Sequence, residues 1–264
     1  MPATATPSRQ RPFFVCLSQA KKSLLLLDYD GTVAPLRTER DQAVPYGPVP
    51  DLLEAIVATG CTRVVLISGR PAREIPPLLG LQTHLEIWGS HGMEHLLPDG
   101  QYQVVKLDRR VTTAFSTANA SLEREGLGQR IESKPGSLAI HWRGLPQEEV
   151  REIWTNALRI LQPIAFSSGL LLSNFDGGVE MRVKSPNKAD AVQAILKQAG
   201  SHQPVAYLGD DTTDEDAFRC VNPLGLTVLV RQVYRPTAAQ LWLRPPEELV
   251  AFLGQWLHAC GGGQ

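Results

Sequence analysis

The chain has 264 residues, 43% of them hydrophobic and 20% charged, with 26 Lys and Arg against 27 Asp and Glu. This balance excludes wholesale disorder, collagen-like repeats and low-complexity architectures. A net charge of −1 supplies no broad basic field for nucleic acid or anionic lipid. The longest apolar runs, such as 24–27 and 64–67, fall far short of the roughly 18 residues that a membrane span needs. Cys16, Cys61, Cys220 and Cys260 lack zinc-ligand spacing and read as reduced thiols.

In chain order, residues 1–12 are polar and Pro-containing and read as a flexible tail, with 13–22 as lead-in. The apolar stretch at 13–17 is too short for the centre of a signal peptide, so cytoplasm is the expected compartment. Residues 23–27 read as a buried strand that stops at Asp28, and 50–58 as a helix with Leu52, Leu53, Ile56 and Val57 on one face. Buried strands follow at 63–67 and 85–88, leaving through Ser68-Gly69-Arg70 and Gly89-Ser90-His91-Gly92. Buried strands alternating with helices predict a parallel sheet.

The style changes after Leu96. Helical spacing recurs at Val111, Phe115, Ala118 and Leu122, and again from Val150 to Leu161. The strands here alternate: Leu138, Ile140 and Trp142 against Ala139, His141 and Arg143, then Val179, Met181 and Val183 against Glu180, Arg182 and Lys184. Alternation predicts an antiparallel sheet with one polar face. Residues 105–183 therefore read as an inserted domain. Continuous apolar strands return at 204–208 and 226–230, and 247–257 reads as a closing helix, so the first domain comprises 23–104 and 184–264.

In open parallel sheets, ligands bind at the carboxyl ends of the strands. Four points here carry polar residues suited to one task. Asp28 and Asp30 leave their strand at i and i+2, so that one can attack phosphorus while the other handles a proton. Gly31 and Thr32 offer a close backbone and a hydroxyl, and Ser68 a second hydroxyl. Lys188 supplies a positive charge at a helix start. Asp210, Asp211 and Asp214 follow a later strand. Crowded carboxylates call for a cation, and oxygen-only ligands favour Mg2+. The physical reading is phosphoryl transfer through an aspartyl-phosphate.

Asp28-Tyr29-Asp30-Gly31-Thr32, Ser68, Lys188 and Gly209-Asp210-Asp211 resemble, in order, the four motifs of the haloacid dehalogenase superfamily of phosphatases. Longer strings resemble its trehalose-6-phosphate phosphatase branch: Gly89-Ser90-His91-Gly92-Met93-Glu94, Lys134-Pro135, His141-Trp142-Arg143 and Val179-Glu180-Met181-Arg182. The resemblance implies an α/β fold with a Rossmann-like core and an inserted, mobile α/β cap carrying an antiparallel sheet. It implies Mg2+-dependent hydrolysis of trehalose 6-phosphate to trehalose and phosphate. Asp28 would be the nucleophile and a metal ligand, and Asp30 the general acid/base, its carbonyl reaching the metal. Asp210 would be the third protein ligand, with Asp211 and Asp214 at the metal site acting through water or from behind the ligands. Gly31, Thr32, Ser68 and Lys188 would hold phosphate. Arg70, Lys134, His141, Arg143, Glu180 and Arg182 are the candidate substrate contacts, with Lys134, Arg143 and Glu180 on the sugar. A trehalose-phosphate synthase is the partner this reading brings in, and a monomer the expected state.

The third motif departs from the pattern, with Ala189 after Lys188 where the family commonly has Gly, and Trp142 stands where Tyr is usual. Other readings stay open at this stage: a phosphatase for a sucrose 6-phosphate or glycosylglycerate-type substrate, or a non-catalytic sugar-phosphate-binding protein. A receiver-like signalling module would be about half this length and would lack the Asp28/Asp30 pair.

Overall fold

The computed structural model describes residues 7–175, 177–200 and 203–261. The chain divides into two units. One comprises the segments up to Gln103 and from Asn187 onward, and the other is Val104–Pro186.

The first segment of the larger unit contains α1 (Pro7–Gln19), β1 (Ser23–Leu27), α2 (Val49–Ala58), β2 (Thr62–Ile67), α3 (Ile75–Leu79), β3 (Glu86–Gly89) and β4 (Glu94–Leu96), and β5 (Tyr102–Val104) runs across its end. The smaller unit follows with α4 (Arg109–Arg124), β6 (Ile131–Lys134), β7 (Ser137–His141), α5 (Gln147–Ser168), β8 (Leu171–Phe175) and β9 (Gly178–Arg182). The larger unit resumes with α6 (Lys188–Ala199), β10 (Val205–Gly209), α7 (Glu215–Val221), β11 (Leu226–Val230), β12 (Leu241–Leu243) and α8 (Glu247–Ala259).

Eight strands form the larger sheet in the order β12-β11-β10-β1-β2-β3-β4-β5. Neighbours from β12 through β3 are parallel, and β4 turns antiparallel to β3. Both faces of β1 are covered, which is why it reads as an unbroken leucine run. Leu25 and Leu27 pack with Leu53, Ile56, Phe252 and Trp256 on one side. Leu24 and Leu26 pack with Val192, Ile195, Phe218 and Val221 on the other. The chain leaves β1 for β2 on one flank and returns to β10 on the other flank. That reversal opens a crevice beyond the carboxyl ends of β1 and β10.

The expectation of a flexible tail through residue 12 is corrected from Pro7 onward, where α1 begins; residues 1–6 lie outside the described residues. The helix is held by its aromatic face. Phe13 meets Trp256 with ring centroids 5.6 Å apart, Phe14 meets Phe252 at 5.3 Å, and Leu17 is fully buried.

The smaller unit is a four-stranded antiparallel sheet, β6-β7-β9-β8, with α4 and α5 packed on each other and on its central strands. Leu138, Ile140, Val179 and Met181 supply its apolar side. Two details differ from the sequence reading. The strand ends at His141, and 142–145 form a turn closed by Leu145 N donating to Trp142 O at 3.2 Å. Ala139 sits on the polar side yet is buried, in register between Glu132 and Glu180. Among the described residues no helix is long and apolar enough to cross a membrane.

Replacing Leu17 with Ala should lower unfolding free energy by about 2–4 kcal/mol in a urea melt, and a loss below about 1 kcal/mol would mean that α1 contributes little to the core.

Candidate active site

The β1 ladder extends one residue past the strand, Asp28 N donating to Leu208 O at 2.9 Å. The chain then folds back tightly. Val33 N and Ala34 N both donate to Tyr29 O at 3.0 Å, and Gly31 N donates to Ala34 O at 2.7 Å. Gly31 has φ +82, and a Cβ there would lie 2.1 Å from Asp210 Oδ2. Glycine is thus required twice, by conformation and by space.

At the end of β10 a 3-10 turn, Thr212–Asp214, swings Asp214 back under the strand end. Its carboxylate is fully buried and takes four donors. Oδ2 accepts from Asp210 N at 3.1 Å and Asp211 N at 3.0 Å. Oδ1 accepts from Tyr207 OH at 2.6 Å and Lys188 Nζ at 2.7 Å. Lys188 opens α6 because Asn187 caps it. Asn187 Oδ1 accepts from Ala189 N and Asp190 N, while Asp190 Oδ2 accepts from Asn187 N. That reciprocal box fixes the first turn.

Lys188 Nζ also donates to Asp28 Oδ1 at 2.7 Å, and Thr32 Oγ1 donates to Asp28 Oδ2 at 3.3 Å. Asp28, Asp210 and Asp214 each present an oxygen within 4.8 Å of the others. Burial pushes the Asp28 carboxyl up to about 7, with Asp214 and Asp30 adding to the rise and Lys188 opposing it. Burial pushes Asp210 to about 9, reinforced by Asp28 and Asp214. Burial works against the Lys188 charge, yet Asp214 and Asp28 outweigh it and hold its pKa above the ordinary value.

Asp30 faces away from this cluster. Both its oxygens take the Arg70 fork, from Nε and an Nη, at 2.6 Å. Arg70 is buried, and also donates to Arg40 O at 2.8 Å. Its guanidinium is thus engaged in orienting Asp30. Ser68 is buried at the end of β2, its Oγ accepting from Arg70 N at 3.1 Å. Asp211 is exposed; its carboxylate accepts from Thr212 N at 2.7 Å and stays outside the acidic cluster.

On the smaller unit's polar sheet face, Glu132 joins two of the expected groups, lying 3.2 Å from Lys134 Nζ and 2.8 Å from His141 Nε2. Arg182 Nε is 4.0 Å from Glu180. Arg143, beyond the strand end, is exposed and lies over Gly177. Glu132 escaped the sequence reading although its spacing to Lys134 on one strand signals it. Arg231 and Arg235 escaped it too. Both donate to Asp210 O at 3.3 Å from the segment after β11, and nothing in the local sequence connects them to that carbonyl.

The donor set fits a hard divalent cation. Three buried carboxylates face one ammonium, and the Arg231 guanidinium lies 3.8 Å from Asp210 Oδ2. Asp28 and Asp210 are the groups that such a cation would relieve. Asp214 is already saturated by donors and acts through Lys188 and the turn.

The sequence profile of the trehalose-phosphatase family matches residues 26–246. The chain belongs to that family. It is 30% identical over 203 residues to the trehalose-6-phosphate phosphatase of Escherichia coli (strain K12), an alignment spanning 75% of this chain and 73% of that one. It is 29% identical over 245 residues to the trehalose-phosphate phosphatase of Mycobacterium marinum, spanning 88% of this chain. The chain spans about 60% of the length of that protein and of its Mycobacterium ulcerans counterpart. The fold is similar to the C-terminal domain of Candida albicans trehalose-6-phosphate phosphatase, with a TM-score of 0.77 at 20% identity, covering 94% of this chain and 96% of that one.

The raised carboxyl groups set a pH-dependent response to metal. The folded chain keeps protons on Asp28 and Asp210 that the unfolded chain loses near 3.8, so this pair's contribution to stability falls as pH rises toward 7 and then 9. A cation bound there reverses the loss. Mg2+ should therefore raise the melting temperature more at pH 8.5 than at pH 6, and a gain independent of pH would contradict the assignment of these two carboxyls.

Proposed function

We propose that the chain is a Mg2+-dependent phosphatase that hydrolyses trehalose 6-phosphate to trehalose and phosphate. The observation that carries this reading is the Lys188 ammonium held at 2.7 Å by both Asp28 and Asp214, beside Asp210, in a chain matched to the trehalose-phosphatase family over 26–246. Mg2+ held by Asp28, Asp210 and the Asp30 carbonyl would supply charge neutralisation for the phosphoryl oxygens.

In this mechanism an Asp28 oxygen attacks phosphorus and the bond from phosphorus to the sugar oxygen breaks. The Asp30 carboxyl gives its proton to that leaving oxygen. Asp30 next takes a proton from water as the water oxygen attacks phosphorus, and the bond to Asp28 breaks. Inorganic phosphate leaves, and both carboxyl groups return to their starting forms. The Arg70 fork orients Asp30 as the carboxylate, the form that takes a proton from water, and loosens when Asp30 carries the proton for the leaving oxygen. Lys188, Thr32, Ser68 and the backbone at Gly31 hold the phosphoryl group. On the smaller unit, Lys134 and Arg143 donate to sugar hydroxyls and Glu180 accepts from them.

Phosphate release from trehalose 6-phosphate, sucrose 6-phosphate, glucose 6-phosphate and an aryl phosphate tests the reading. Trehalose 6-phosphate should be preferred, and chelation should abolish turnover. Preference for another member would keep the chemistry and discard the substrate. No turnover of any member by folded protein with Mg2+ would put a binding role first.

Asp28→Asn should abolish turnover with the melting profile preserved; substantial residual activity would remove the covalent step. Glu180→Ala should raise KM for the sugar phosphate while sparing the aryl phosphate, and equal loss on both would exclude Glu180 as a sugar contact.

A further inference from the structure

One cross-strand row on the polar face of the smaller unit's sheet is aromatic. His141 on β7, Gly178 on β9 and Phe175 on β8 stand opposite one another in register. Gly178 has no side chain, and the Phe175 ring lies over it: a Cβ at Gly178 would meet Phe175 Cζ at 2.0 Å. The His141 ring closes from the other side, with centroids 5.3 Å apart and planes at 64°. His141 is itself tied to Glu132 at 2.8 Å. Although β8 is an edge strand, its aromatic ring is therefore held from two directions.

Phe175 nevertheless keeps 39% of its surface exposed, and Leu171 on the same face of β8 keeps 36%. Shielding a sheet glycine is one structural task for such an aromatic, and the exposed remainder of the ring is left over from it. The exposed part of the Phe175 ring is apolar surface on a face that also carries Glu132, Lys134, Glu180 and Arg182. That combination matches the two-sided chemistry of a pyranose. Its axial C–H groups make one apolar face, and its hydroxyls form a rim that needs both donors and acceptors.

We infer that Phe175, fixed by Gly178 and His141, is the apolar floor on which a pyranose ring of the substrate stacks, and that it selects sugar phosphates over simple phosphate esters. The inference rests on the sugar-phosphatase reading above and adds to it a specificity residue with no charge and no part in phosphoryl chemistry. A rigid ring with few rotatable bonds gives such contact area at little entropic cost.

The test is steady-state kinetics of the full chain and its Phe175→Ala, Phe175→Leu and Phe175→Trp variants on trehalose 6-phosphate and an aryl phosphate, with melting temperatures alongside. Leu keeps an apolar cover over Gly178 and gives up the flat face, so it separates binding from folding. The Ala and Leu variants should raise KM for the sugar phosphate about fivefold, the scale of one aromatic packing contact. Their kcat and their aryl phosphate kinetics should hold, and Trp should restore KM. An unchanged sugar-phosphate KM in the Leu variant, with trehalose 6-phosphate turned over by the unmodified chain, would overturn the stacking floor and leave the functional reading intact. A KM rise seen instead on another preferred sugar phosphate would support the floor and overturn the trehalose assignment. Turnover of the aryl phosphate alone by the unmodified chain would overturn both.

Discussion

Four donors converge on the two oxygens of Asp214, and the geometry of the acidic pocket follows from that convergence. Two are backbone amides, of Asp210 and Asp211, and they set the path of the chain as it leaves β10. The other two are the Tyr207 hydroxyl and the Lys188 ammonium. A buried carboxylate without such partners would be strongly unfavourable. Here the partners are complete, so Asp214 becomes the fixed point from which Lys188 reaches Asp28 and from which Asp210 is aimed beside Gly31.

The same arrangement divides labour among the aspartates. Asp214 is committed to protein donors. Asp28 and Asp210 are left with too little positive charge around them, which makes them the natural hosts of a cation. Asp30 is kept apart by Arg70, so its carboxyl is oriented without being drawn into the cluster. Four similar side chains thus acquire three environments from their partners alone, and chemistry follows environment rather than residue type.

Much of this was legible in the sequence because the signals were local. The leucine run of β1 ends at Asp28, the β10 run ends shortly before Asp210, and the alternation at 179–184 marks a sheet with one polar face. What could not be read depends on who meets whom across the fold. Nothing near Arg70 in sequence says that its fork lands on Asp30. Nothing near Arg231 or Arg235 points to the Asp210 carbonyl. Asp211 has the composition of a ligand and the position of a turn cap. Residues 7–12 looked like a tail because Pro and polar residues dominate them, and only the aromatic contacts of Phe13 and Phe14 with α8 show why a helix forms there.

The Lys188–Asp28 pair joins residues 160 positions apart. Loop-closure entropy grows only slowly with length, but contacts this distant in sequence arrive late during folding. The inserted unit, whose strand pairings are all internal, lies between the two partners and can order first, shortening the flexible span that remains to be closed. Until Lys188 docks, Asp28 and Asp210 sit on neighbouring strands with no ammonium between them. Protonation or a bound cation during that interval relieves the repulsion, so the ionic conditions of refolding set how readily the centre of the sheet closes.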